Sequence, residues 1–165
     1  MVFSWSAGKD SAFGLWTLLG DPDYEVRALL TTVTEGYRRV SMSGVREVLL
    51  DRQAEALGLP VVKVRIPPAC PNEVYEQRMA STLAAEAFLG IDHVAFANLF
   101  LEDVRAYREE RLGWAGKHGV FPLWAGTPQS LLARWRQTAS GPSWYPSIPE
   151  LWIPPSPDGT STRSS

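Results

Sequence analysis

The chain opens with an apolar run, a small-residue turn and a helical pattern, in that order. Residues 2–5 are mostly apolar and predict a short buried strand, and apolar positions recur at helical spacing over residues 12–19. Between them, residues 6–11 have the sequence SAGKDS. The first N–H groups of a helix lack intrahelical partners and carry partial positive charge, Gly8 allows close approach, and Lys9 adds a full charge. This arrangement predicts phosphate binding at residues 6–11, and an ordinary strand-to-helix turn is the alternative.

Strand and helix patterns alternate along the rest of the chain. The predicted strands cover residues 26–33, 61–66, 94–97 and 120–124, and the predicted helices cover residues 44–57, 73–89, 102–114 and 128–138. Ser43 and Asn72 are the expected N-caps of two of these helices. The segment 26–33 is largely apolar, which is typical of a parallel strand covered on both faces. The pattern therefore predicts an α/β fold in which helices cover both faces of a parallel sheet and ligands bind at the carboxyl ends of the strands.

Composition argues against several other classes of protein. The net charge is −2 and the basic residues are interspersed with acidic ones, so we expect no nucleic-acid surface. One cysteine, Cys70, and two histidines do not predict a metal site, and a lone cysteine fits a reducing compartment. No apolar run could span a bilayer and no signal-peptide pattern is present, so the expectation is a cytoplasmic protein that does not contact membranes.

The helical and strand periodicity ends after Thr138. Residues 139–165 contain six of the thirteen prolines and seven serines. Proline cannot continue a helix or pair within a central strand, and the few apolar residues there are dispersed. We therefore predict one α/β domain over residues 1–138 and an extended or disordered tail over residues 139–165.

Residues 6–11 resemble the pyrophosphate loop of the N-type ATP pyrophosphatases, whose usual pattern has two glycines where this chain has Ala7 and Gly8. If the backbone needs a positive φ at Ala7, the departure costs about 1 kcal/mol. Later segments resemble, in the same order, the diphthine–ammonia ligase family and its bacterial relatives. These segments are VSMSGVR at 40–46, AEALGLPVVKVRIPPACPNEVY at 54–75, FANLFLEDVR at 96–105 and FPLW at 121–124. The resemblance covers residues 1–137.

The resemblance implies both a fold and a reaction. The fold is a HUP-type, Rossmann-like five-stranded parallel sheet in the order 3-2-1-4-5, with ATP lying over strands 1, 2 and 4. Enzymes of this kind split ATP between the α and β phosphates: a substrate carboxylate attacks the α-phosphate, pyrophosphate leaves, and ammonia converts the adenylate to an amide. The implied partners are ATP with Mg²⁺, ammonia, and a carboxylate substrate that is either a small molecule or a protein. A homodimer is left open.

The resemblance also implies roles for individual residues. The expected nucleotide contacts are Ser6, Ala7, Gly8, Lys9, Asp10, Ser11, Thr32 and Val33, and the expected substrate contacts are Ser43, Asn98, Glu102 and Asp103. Lys9 and Asp10 are the expected catalytic residues. Asp10 is also the expected Mg²⁺ contact, directly or through water, with a helix-start carboxylate as the alternative.

Four charged residues in the segment that follows the fourth strand have competing interpretations. Glu102 and Asp103 either face the substrate or stabilise the start of their helix. Arg105 and Arg108 are expected to pair with Glu102, Asp103 and Glu109 on a solvated face, and phosphate binding is the alternative.

The chain departs from the family pattern in ways that bear on activity. Ser43 stands where the family has histidine, and Ala97-Asn98 stand where it has Gly-Asp, which weakens a metal or base role at Asn98. Nothing after Thr138 resembles the family's C-terminal region, which contains a Glu-Asn-Gly-Glu-Phe-His segment. The favoured function is an AMP-forming, ATP-dependent C–N ligase, and the alternative is an adenine-nucleotide-binding protein without turnover. Modification of tRNA is a weaker candidate because no catalytic cysteine pair or basic patch supports it.

Overall fold

The described residues of the computed structural model are 1–85, 88–97 and 101–124, together with Ser130 and Ala133. They form one sheet with helices against both of its faces. The strands are β1 (Val2–Ser4), β2 (Ala28–Thr34), β3 (Arg39–Val40), β4 (Val61–Ile66), β5 (His93–Phe96) and β6 (His118–Val120). The helices are α1 (Lys9–Leu19), α2 (Glu47–Leu57), α3 (Asn72–Leu83) and α4 (Glu102–Trp114).

The parallel part of the sheet has the strand order β4-β2-β1-β5-β6. Numbered along the chain without β3, these strands are 3-2-1-4-5, so the predicted α/β fold and strand order are confirmed. Strand β1 is central, with β2 on one side and β5 on the other. The strand order reverses at β1, which opens a crevice beyond its carboxyl end.

Strand β3 is a short antiparallel addition to β2. Because β4 pairs along one edge of β2, β3 lies on the edge that β1 uses, beyond the point where β1 ends. The N–H of Ser41 donates to the carbonyl oxygen of Thr32 at 2.9 Å. This pairing holds residues 41–43 beside the carboxyl end of β2.

Alternate residues of the strands feed two hydrophobic clusters, one on each face of the sheet. The cluster with α1 and α2 includes Phe3, Leu15, Leu18, Leu29, Val33 and Leu50. The cluster with α3 and α4 includes Val2, Leu30, Val64, Leu83, Val94 and Leu112. Strand β2 is buried at every position from Ala28 to Val33, which accounts for its continuous apolar pattern.

Helix α2 begins at Glu47, later than predicted, and the expectation that Ser43 caps it is wrong. Residues 43–46 instead form a turn after β3, in which Gly44 has a φ of +71°. The N–H of Val40 donates to the carbonyl oxygen of Val45 at 2.8 Å, and Val45 N–H donates to Ser43 Oγ at 3.4 Å. These bonds hold the backbone of residues 43–46 outside the helix.

Helix α3 differs from the prediction at both ends. It begins at Asn72, whose side chain donates to Glu76 Oε1 at 2.8 Å, so the expectation that Asn72 is the N-cap is wrong. It ends at Leu83 rather than at residue 89. Near that end, Thr82 Oγ1 donates to the carbonyl oxygen of Arg78 at 2.8 Å, a side-chain bond that competes with the helix ladder.

The last described strand lies at His118–Val120, not at residues 120–124, because a turn begins around Pro122. The bounds predicted for β4 and α4 are confirmed. Apart from Ser130 and Ala133, the predicted helix over 128–138 lies outside the described residues, as does the predicted tail over 139–165. No helix within the described part of the chain is both long and apolar enough to cross a membrane.

Candidate functional site

A cavity of about 290 Å³ lies beyond the carboxyl end of the central strand. One wall is formed by the strand ends and the start of α1, with Ser4, Trp5, Ser6, Asp10, Ser11, Leu30, Thr31, Thr32 and Ala97. The other wall is formed by the turn after β3 and by α3 and α4, with Val40, Met42, Ser43, Tyr75, Met79 and Arg108. The cavity therefore spans the edge of the sheet, from α1 on one face to α3 and α4 on the other.

The turn between β1 and α1 has the geometry of an anion site. Ala7 has a φ of +61°, and Gly8 is the N-cap of α1 with an extended backbone. Because Gly8 has no side chain, the first amides of α1 have no capping side chain at that position. Ser6 N–H donates to Ser11 Oγ at 3.0 Å, which ties the turn to the helix. Of this turn and helix start, Ser6, Asp10 and Ser11 line the cavity, so the partial positive charge of the helix start lies beside it.

Lys9 and Asp10 are the first two residues of α1, and their side chains form an ion pair with each other. Both side chains are exposed, but of the two only Asp10 lines the cavity. A phosphate bound at the turn would compete with Asp10 for the Lys9 ammonium group. The Lys9 ammonium group therefore lies at the turn but is not part of the cavity wall.

The middle of β2, just beyond the point where its pairing with β1 ends, contributes two threonine side chains to the site. Thr31 and Thr32 line the cavity, whereas Val33 is fully buried in the core and does not. Thr31 is 4% exposed, and its Oγ1 has no hydrogen-bond partner among the described residues. A buried hydroxyl without a partner costs about 1–3 kcal/mol, so Thr31 is a candidate contact for a bound polar group.

Arg108 lies in the cavity wall rather than on a solvated face, so the expectation that it pairs with neighbouring carboxylates is wrong. Its guanidinium carbon is 4.1 Å from the centroid of the Phe96 ring. Burial lowers the pKa of the Arg108 guanidinium from its ordinary value. The expected pairing is confirmed for Arg105, whose Nε is 2.8 Å from Glu109 Oε1.

Of the four expected substrate contacts, one lines the cavity, two do not, and one is not described. Ser43 lines the cavity. Glu102 and Asp103 are exposed in the first turn of α4, where the helix dipole favours negative charge, and neither lines the cavity. Asn98 lies outside the described residues.

A magnesium ion at this site would depend on the nucleotide for most of its ligands. No group of three or more His, Cys, Asp or Glu side chains among residues 1–85, 88–97 and 101–124 is arranged to hold a metal ion. Asp10 is a single carboxylate at the cavity wall, beside the turn. Mg²⁺ commonly binds through one or two carboxylates together with substrate phosphates and water, so this donor set fits a nucleotide-bound Mg²⁺.

Of the residues in the second wall of the cavity, sequence reasoning assigned only Ser43 to the site. Tyr75 and Met79 were given no role in the site, and Arg108 was expected to pair with a carboxylate on a solvated face. One signal was available, since Arg108 is four residues before the buried Leu112 and therefore shares its side of α4. Thr31 carried no comparable signal within the apolar segment of β2.

Residues 1–112 match the sequence model of the family described as Diphthamide synthase N-terminal domain. The match extends from β1 almost to the end of α4 and includes every residue that lines the cavity. No curated protein matches the chain.

Proposed function

This chain belongs to the Diphthamide synthase N-terminal domain family, within the ATP-utilising PP-loop pyrophosphatase superfamily, and on that premise we propose that it is an AMP-forming ligase. ATP binds in the cavity with its β and γ phosphates on residues 6–11. A carboxylate oxygen of the acceptor attacks the α-phosphate, the bond from the α-phosphorus to the bridging oxygen breaks, and pyrophosphate leaves with that oxygen. Ammonia then attacks the acyl-adenylate, which releases AMP and gives an amide.

The observation that carries this proposal is the start of α1 at the cavity wall. Gly8 leaves the first amides of the helix uncapped, and the Ser6–Ser11 bond holds the turn beside them. Negative charge is favoured at such a helix start, and a phosphate takes several N–H donors there at once. The cavity that begins at this turn is lined by polar groups of β1 and β2, which suits the remainder of a nucleotide.

Residues at the turn would stabilise the charge that develops on the leaving pyrophosphate. Preorganised N–H donors and cations aimed at developing charge lower the barrier of phosphoryl chemistry. Lys9 would exchange its ion pair with Asp10 for the phosphates, which frees the Asp10 carboxylate. Mg²⁺ held by Asp10 and the phosphates would neutralise further charge on the leaving group.

A second function, binding of an adenine nucleotide without turnover, is favoured by a specific observation. The family match ends at residue 112, and the chain beyond it is not matched. All cavity-lining residues lie before that point, so the family match supports the nucleotide half of a ligase and no more.

Product analysis distinguishes the two functions. The chain is incubated with ATP, Mg²⁺, ammonium and a panel of carboxylates, and nucleotides are separated by chromatography. AMP and pyrophosphate support the ligase, whereas ADP and phosphate would exclude this chemistry. Binding of ATP with no product under any condition supports the second function.

Calorimetry of a loop variant tests the ATP site itself. Lys9→Ala combined with Asp10→Ala removes both charges of the turn and is expected to weaken ATP binding at least tenfold, or about 1.4 kcal/mol. Lys117→Ala is the control, because Lys117 donates to the carbonyl oxygen of Ile91 at 2.7 Å and does not line the cavity. Equal ATP affinity in the double variant and the wild type would contradict the site.

A further inference from the structure

We infer that Arg108 is the acceptor-binding residue of this cavity and that it pairs with a carboxylate group of the acceptor. The inference rests on the proposed function, because an acceptor is required only if the chain forms an adenylate. It assigns a positively charged residue to the end of the cavity that lies away from residues 6–11, which we call the phosphate turn.

Arg108 differs from the neighbouring arginines, because each of those is paired with a carboxylate. On α3 and α4, Arg78 is 2.6 Å from Glu35, Arg105 is 2.8 Å from Glu109, and Arg111 is 3.1 Å from Glu76. Among the residues that the structure describes, no carboxylate lies within 4.0 Å of the Arg108 guanidinium. A cation that is partly withdrawn from water and lacks a counter-ion favours the binding of an anion.

The surroundings of Arg108 orient its donors. The guanidinium carbon of Arg108 lies over the Phe96 ring, 4.1 Å from the ring centroid. An aromatic ring holds the plane of the guanidinium but does not occupy its N–H groups. Tyr75 and Met79 of α3 line the same cavity. The five N–H donors of an arginine fork match the two oxygens of a carboxylate.

The position of Arg108 favours a carboxylate over the ATP phosphates as its ligand. Arg108 belongs to α4, which packs on one face of the sheet, whereas the phosphate turn leads into α1 on the other face. The cavity joins the two, and its lining includes Thr31 in the middle of β2, whose hydroxyl has no partner among the described residues. A nucleotide anchored by its phosphates at α1 would therefore leave Arg108 for the second substrate.

Nuclear magnetic resonance of the arginine side chains tests this assignment. Acetate is titrated into the full chain, labelled with nitrogen-15, with and without ATP and Mg²⁺, against sodium chloride at equal ionic strength. The Arg108 Nε–H resonance is identified by its loss in Arg108→Gln. We expect acetate, but not chloride, to shift this resonance saturably in both series.

Two variants separate the acceptor site from the ATP site. Arg108→Gln is expected to bind ATP as the wild type does in calorimetry, while the acetate-dependent shifts of the Tyr75 and Thr31 amides require at least tenfold more acetate. Arg105→Gln, which removes a paired arginine outside the cavity, should change neither. If Arg108→Gln does not fold, Arg108→Lys identifies the resonance and the wild-type titration still decides.

Each remaining outcome contradicts either the inference about Arg108 or the proposed function, but not both. An Arg108 resonance that ATP shifts to saturation, with no further effect of acetate, would assign Arg108 to the phosphates and overturn the inference. A resonance that acetate does not shift would overturn it as well. If the wild type binds acetate at Arg108 but does not bind ATP, the proposed function fails while the anion site stands.

Discussion

The backbone N–H of Ser6 donates a 3.0 Å hydrogen bond to the Oγ atom of Ser11, across the turn that joins β1 to α1. Ser11 is 2% exposed although it lines the cavity, so its hydroxyl is largely shielded from bulk water. The bond sets how the end of β1 approaches the first turn of α1, and therefore where the uncapped amides of α1 lie. Ser11 thus has a structural role that is separate from any contact with phosphate.

Replacement of Ser11 by alanine is expected to lower the free energy of unfolding by about 1 kcal/mol, because the Ser6 N–H loses its acceptor. ATP affinity should fall with it, since the turn is no longer held. Ser6→Ala is the matched control for the unfolding measurement, because it keeps the backbone N–H that donates to Ser11. Urea unfolding and calorimetry measure the two effects. Equal unfolding free energies for the two variants would contradict this role of Ser11.

Ala7 has a left-handed backbone, with a φ of +61°, at the position where a glycine was expected. This conformation costs a non-glycine residue about 1–2 kcal/mol. Ala7 and Ala54 are both 4% exposed, but Ala54 lies in the interior of α2. Ala54→Gly should cost about 1 kcal/mol, as in other helix interiors, whereas Ala7→Gly should be neutral or stabilising. Thermal and urea unfolding of the two variants test this, and an equal loss in both would show that Ala7 is not strained.

Glu47 is a buried carboxylate, 4% exposed, in the first turn of α2. Hydrogen bonds from Arg65 at 2.7 Å and Lys63 at 3.0 Å hold the pKa of Glu47 below its ordinary value of 4.5. The carboxylate therefore stabilises the fold above pH 4.5, and this contribution is lost as the pH falls through the lowered pKa of the folded state.

Glu47→Gln is expected to lower the free energy of unfolding by about 2 kcal/mol near neutral pH and to reduce its dependence on pH below 4.5. Glu55→Gln is the control, because it removes the same charge from an exposed position of the same helix. Urea unfolding at neutral and acidic pH measures both. An acid dependence in Glu47→Gln as steep as that of the wild type would contradict the assignment.

A chain ending at Thr138 is expected to bind ATP and to keep its melting temperature within about 4 °C. The reason is compositional: six prolines after that point remove backbone donors, and ordering each residue costs about 1–2 kcal/mol. Differential scanning calorimetry and ATP titration of the shortened chain measure this. Aggregation of the shortened chain, or loss of its ATP binding, would place the domain boundary beyond residue 138.

The sheet and the turn between β1 and α1 were predictable because their information is local. Residues 6–11 are contiguous, so the strand, the small residues and the helix start can be recognised together. The end of α2 at Leu57 follows from Gly58, which adopts a φ of +65°. The start of α2 was missed because the pairing of Arg39 with Arg46 holds the preceding residues in a turn.

The opposite wall of the cavity and the buried charge of α2 depend on tertiary packing. Arg108 meets Tyr75 at the cavity only after α3 and α4 pack on the same face of the sheet. Glu47 is a charged helix residue, yet it is buried because Lys63 and Arg65 lie at alternate positions of β4 and supply its partners. Hydrophobic periodicity treats a charged residue as exposed, so it misses charges that are neutralised across elements.

The most direct test of the central claim is a titration of the nitrogen-15 labelled chain with ATP and Mg²⁺, observed through its backbone amide resonances. If the phosphates bind at the start of α1, the amides of residues 6–11 shift saturably with ATP, and those of Thr31 and Thr32 shift with the same dissociation constant. Inorganic pyrophosphate should shift residues 6–11 while leaving Thr31 and Thr32 little changed. Amides of residues 6–11 that do not respond to ATP would contradict the account.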